Sequence, residues 1–117
     1  MDVVVVGRHT EVSAALRAAT EEKVSHLARF ASDIRRVEVD FDETGNHRVS
    51  EPHSCEILVH LTGQLVKGQG AAIDAQAALD AAIEKVEHQM RRLHGRRSTR
   101  PGSRRDGGPG NVDRSGS

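Results

Sequence analysis

A chain of 117 residues with 2% aromatics, no Trp, no Tyr and one Cys has room for one modest aliphatic core. It excludes an intramolecular disulfide framework and argues against a platform that stacks unpaired bases. Its formal charge of zero hides a split: residues 1–84 hold 8 Lys/Arg against 14 Asp/Glu, and residues 85–117 hold 9 against 3.

Asp2–Gly7 (DVVVVG) is a β-branched run closed by Gly and predicts a strand buried on both faces. Val12, Leu16, Thr20, Val24, Leu27 and Ala31 recur at helical spacing, so a helix is expected from Val12 or Ser13 to about Ser32–Asp33. Val37, Val39 and Phe41 alternate with Glu38, Asp40 and Asp42, the pattern of a strand with one wet face. Glu43–Pro52 is a polar loop with a turn signal at Thr44-Gly45-Asn46. Cys55, Ile57, Val59 and Leu61 alternate again and mark a third strand over 53–61. Thr62-Gly63-Gln64 turns tightly into a fourth, Leu65–Gly70. Asp74 opens a long helix to about Leu93, with Leu79, Ile83, Val86, Met90 and Leu93 on one face.

The order β-α-β-β-β-α predicts an α+β fold: a four-stranded mixed sheet with two helices packed on one face. Residues 1–95 form the domain, and the Arg/Gly/Ser-rich 96–117 read as a flexible tail or linker. The open sheet face then carries Glu38, Asp40, Asp42, Glu56 and His60 and repels phosphate, which directs a polyanion to the helical side.

A cationic helix end running into a basic tail is the electrostatic footprint of a polyanion binder, since each phosphate contact releases condensed counterions. The same charges also suit a solvated helix face followed by a soluble linker. At 100° per residue, Lys85, His88, Arg92 and Arg96 share one edge of the second helix, while Asp80, Glu84, Glu87 and Arg91 share the other. Lys23, His26 and Arg29 form an edge of the first helix, with Arg17 apart. Two such edges side by side make one basic groove; the alternative is that many of these cations are ion-pair partners of nearby acids.

No catalytic signature is present, neither GxSxG, nor a P-loop, nor a GxGxxG after a strand. The seven His show no metal-ligand spacing with each other or with Cys55. The sequence therefore predicts neither an enzyme nor a metal site, and it calls for no cofactor or small-molecule substrate. No apolar run approaches the ~20 residues of a membrane span, and Val3–Val6 is too short for a signal-peptide core. A cytoplasmic, monomeric domain is expected.

Glu11–Phe30 (EVSAALRAATEEKVSHLARF) and Asp74–Arg92 (DAQAALDAAIEKVEHQMRR) resemble the ribosome hibernation factor family, which includes the ribosome-associated inhibitor and hibernation promoting factor proteins. The most specific piece is Ala82–Arg92, AIEKVEHQMRR, and the similarity spans about residues 2–96. Gln76 stands where the family has an aromatic, and Gly68-Gln69-Gly70 replaces more usual strand residues. The resemblance implies a cytoplasmic factor that binds the small ribosomal subunit and its rRNA in the mRNA/tRNA channel and inhibits translation sterically. It implies rRNA contacts at Arg17, Lys23, His26, Arg29, Lys85, His88, Arg91, Arg92 and Arg96. Long members add a dimerising domain after a linker, so the chain is either a short form or one cut inside that linker. A competing reading is a double-stranded RNA-binding module, whose layout and helix cations are similar.

Overall fold

The computed structural model describes residues 1–46 and 48–98, apart from the side chains of 96–98. The elements are β1 (Asp2–Arg8), α1 (Ala14–Ser25), a 3-10 turn (His26–Arg29), β2 (Ile34–Glu43), β3 (His53–Leu61), β4 (Gln64–Ala72) and α2 (Ala75–Ser98). The sheet order is β1-β2-β3-β4, with β1 parallel to β2 and the other pairs antiparallel. This is the mixed α+β arrangement that the β-α-β-β-β-α order predicts. No helix of the described residues is long and apolar enough to cross a membrane.

The alternation of β2 and β3 sets which face is dry. Val37, Val39 and Phe41 lie opposite Val59, Ile57 and Cys55, and all six are buried. Against them pack Val24 and Leu27 from one side and Ala78, Leu79, Ala82, Ile83, Val86, Met90 and Leu93 of α2 from the other. Both helices therefore cover the same face. Each large fully buried side chain, such as Phe41, Leu27, Ile57 or Leu79, contributes roughly 1.5–3 kcal/mol of transfer free energy.

The helix starts are set by their caps. Ser13 Oγ accepts from Leu16 N–H at 3.0 Å, and Asp74 Oδ1 accepts from Ala77 N–H at 2.8 Å. The first helix ends sooner than its periodicity predicts. At Ser25 the hydroxyl donates to the Glu22 carbonyl at 2.6 Å, and the chain tightens into the 3-10 turn that buries Leu27. Thr20, the one buried polar residue among those described, satisfies its hydroxyl on the Leu16 carbonyl at 2.7 Å.

Two expectations are corrected. β1 is an edge strand rather than one buried on both faces: Val3 and Val5 pack on the core, while Val6 is exposed on the outer face. An apolar run alone does not say whether both faces are covered. The outer sheet face is also less acidic than β2 and β3 suggest. Arg8 pairs with Asp40 at 3.3 Å, Arg36 with Glu38 at 3.6 Å and Lys67 with Glu56 at 3.2 Å, so cations from neighbouring positions neutralise it.

Gly68 and Gly70 explain how α2 sits on β4. A Cβ on Gly68 would lie 2.7 Å from Val86 Cγ2 and one on Gly70 would lie 2.7 Å from the Ala78 carbonyl oxygen. The missing side chains bring the helix axis down onto the edge strand. The helix is tied there from outside as well, because Gln89 Nε2 donates to the Lys67 carbonyl.

Candidate nucleic-acid interface

The apolar stripe of α2 fixes its rotation on the sheet and so sets its two charged edges on either side of its exposed face, where Glu84 and Arg91 share a depression with Lys85 and His88. Asp80, Glu87 and Arg91 face α1 and the 3-10 turn. Lys85, His88 and Arg92 lie on the exposed flank beside Gln89, whose hydrogen bond places that flank over β4. Among the described residues no carboxylate pairs with Lys85, His88 or Arg92. A shallow depression of about 160 Å³ joins Arg92 and Gln89 to Gln64 and Leu65 of β4. The side chain of Arg96 and the tail arginines lie outside the described residues.

The cations of the first helical segment do something different. Lys23 Nζ lies 2.9 Å from Asp80 Oδ1, and Arg29 Nη2 lies 3.5 Å from Glu87 Oε2. Glu87 also takes Arg91 Nη1 at 3.9 Å, one helical turn on. The Arg29 guanidinium lies 4.8 Å over the Phe30 ring, and His94 Nδ1 lies 3.0 Å from the Phe30 carbonyl oxygen, which ties the turn to the end of α2. The two basic edges therefore do not merge into one groove, because the acidic edge of α2 lies between them. Of the sequence-predicted residues, the structure brings Arg29 and Arg91 together on Glu87 and lines up Lys85, His88 and Arg92 along the flank toward β4, with Arg91 bordering the same depression as Lys85 and His88. His26 is exposed in the 3-10 turn, and Arg17 is exposed about 120° around α1 from Lys23.

Helical spacing puts Asp80 and Glu87 on an acidic edge but does not name their cross-helix partners. The Glu87–Arg91 spacing signals the pair within α2. Nothing in a linear pattern signals Arg29, which reaches Glu87 from a different element.

The outer sheet face shows how its carboxylates are held ionised. The Glu56 carboxyl sits below its usual range because Lys67 and then Gln69 bond to it. Asp42 is lowered first by its bond to His9, whose Nδ1 is 3.0 Å away. On the core side, burial pushes the Cys55 thiol up to about 12, with Asp40 and Glu56 adding to the rise. That thiol is a small core hydrophobe, and its thiolate is strongly disfavoured.

Fold and charge together define a class: a small two-layer α+β domain that exposes Lys85 and Arg92, with His88 between them, along one helix with no acidic partner among the described residues, a face suited to a polyanion. The chain belongs to the Sigma 54 modulation protein / S30EA ribosomal protein family, whose model matches residues 3–98. It is 31% identical to a ribosome hibernation promotion factor of Mycobacterium tuberculosis over 106 residues, which cover 88% of this chain and 48% of that protein. A ribosome hibernation promotion factor of Deinococcus radiodurans is 26% identical over 87 residues, 74% of this chain and 46% of its own. The chain thus spans about half the length of the curated relatives it matches. The crystal structure of the Thermus thermophilus Protein Y N-terminal domain superposes with a TM-score of 0.69 at 29% identity, covering 80% of this chain and 99% of that one. A ribosomal subunit interface protein from Coxiella burnetii, at 22% identity and a TM-score of 0.68, shares the fold.

Proposed function

We propose that this chain is a ribosome hibernation factor that binds the small ribosomal subunit in the mRNA/tRNA channel and inhibits translation by occupying it. The observation that carries the reading is the row Lys85, His88 and Arg92, which has no acidic partner among the described residues, on a domain of this family. Relatives named for ribosome hibernation promotion support it. The row meets rRNA phosphates, and Arg17, Lys23, His26, Arg29, Arg91 and Arg96 extend the contact. The mechanism is steric: a filled channel admits neither messenger RNA nor tRNA, and no bond is made or broken. A cytoplasmic location follows from the partner.

Sedimentation with purified subunits tests the reading. The protein is expected to travel with small subunits and intact ribosomes, and not with isolated large subunits. About six phosphate contacts would cost roughly three decades of affinity between 50 and 200 mM salt. Inhibition of cell-free translation should recede as messenger RNA or initiator tRNA is raised. Equal affinity for a plain 16-base-pair RNA duplex would instead support the double-stranded RNA reading, and time-dependent RNA breakdown would sink the steric mechanism.

A further inference from the structure

We infer that Arg29 and Arg91 form one phosphate seat across the helix seam, and that Glu87 is the positioning residue that builds it. This rests on the helical face being the RNA-binding surface, and it adds a residue whose own charge opposes RNA.

The geometry separates the anion from the surface. Each Glu87 oxygen holds one arginine, Arg29 at 3.5 Å and Arg91 at 3.9 Å. The Glu87 side chain is 22% exposed, whereas those of Arg29 and Arg91 are 61% and 54% exposed. An approaching phosphate therefore meets two guanidiniums, with the carboxylate behind them. Each guanidinium carries five N–H donors in a planar fork, and at 3.5 and 3.9 Å the carboxylate draws them by charge and leaves the donors free of hydrogen bonds to it. These donors match the bidentate geometry of phosphate oxygens. Arg29 is further held over the Phe30 ring, so its fork is already oriented before any ligand arrives.

Two effects oppose each other at this seat. The Glu87 charge repels phosphate, but it is covered by two cations and screened by a Debye length of about 8 Å at physiological salt. Against it stands the rotamer freedom of two arginines, among the largest side-chain entropies, which the shared ion pair and the Phe30 ring narrow in the free protein. For a covered carboxylate the second effect is the larger. Neutralising Glu87 then weakens RNA binding, the opposite of what net charge predicts.

The test is Glu87→Gln, which keeps shape and removes charge, compared with the wild-type chain in two measurements. One is a binding titration with purified small subunits at several salt concentrations. The other is ¹⁵N relaxation at the Arg29 and Arg91 Nε–H groups. We expect affinity about 5-fold lower, a shallower salt dependence, lower arginine order parameters and only a small fall in melting temperature, as the loss of two surface ion pairs implies. Glu87→Asp should recover part of the loss, and adding Glu87→Gln to an Arg29→Ala, Arg91→Ala background should cost nothing more. Equal or tighter binding by Glu87→Gln overturns the seat, as do arginine side chains already mobile in the wild type. A wild-type chain with ordered arginines that ignores small subunits overturns the ribosomal reading and, with it, the assigned ligand.

Discussion

The two edges of α2, one mainly acidic and one basic, have different electrostatic fates. On the edge toward the first helical segment, Lys23 meets Asp80, and Arg29 and Arg91 meet Glu87. On the edge over β4, Lys85, His88 and Arg92 meet no acid among the described residues. The first edge is tied across two elements by its ion pairs while its arginines stay exposed, and the second meets no acid among the described residues. A count of cations along a helix is therefore a poor guide to binding potential; what matters is which neighbour each edge faces.

The largest expected effect breaks this contrast directly. Reversing Lys85 and Arg92 to Glu should lower small-subunit affinity by more than about 100-fold, because two phosphate contacts become two repulsions. Circular dichroism should stay unchanged, since both side chains lie off the apolar stripe. Deleting residues 99–117 removes Arg100, Arg104, Arg105 and Arg114, yet should cost only about 3-fold. Composition predicts that such a tail must be ordered to make contacts, at roughly 1–2 kcal/mol per backbone residue. If the tail deletion does more damage than the reversal, the β4-side edge is not the binding surface.

A second substitution moves the edge instead of its charge. Gly70→Ala forces a Cβ into the Ala78 carbonyl and the Ala81 side chain, and overpacking of this kind costs about 1–3 kcal/mol. Chemical denaturation should show it, and affinity should fall as α2 is lifted from β4. The smallest effect belongs to the paired edge. Lys23→Ala breaks an exposed ion pair with Asp80 and should cost under about 1 kcal/mol in the same denaturation experiment, less still at high salt.

The same contrast marks what the sequence makes legible. Alternation in Val37–Phe41 and Cys55–Leu61, the caps Ser13 and Asp74, and the stripe Leu79–Leu93 each describe one element's own faces, and the structure has all of them. The cation row on α2 is legible for the same reason. Pairings between elements are not. Helical spacing cannot say that the Lys23 edge rotates toward Asp80, or that Arg29 reaches Glu87 from a 3-10 turn. Nor does it say that β1 lies at the sheet's edge. Gly68 and Gly70 look like a departure from strand composition until the helix above them is known. Their role lies in the distance between two backbones, which no single segment encodes.

Cys55 gives this molecule a built-in clock. Its thiol, buried on the sheet's core face and pushed up to about 12 from 9.0, is closed to alkylating reagents while the sheet is intact. Unfolding restores an ordinary thiol, so the labelling rate counts openings of the domain. The same shift sets an alkaline limit. Above about pH 9 the unfolded chain ionises its thiol and the folded chain cannot, so stability falls as pH climbs toward 12. Timed thiol labelling of the free protein would then read how often the domain opens, with no residue substituted.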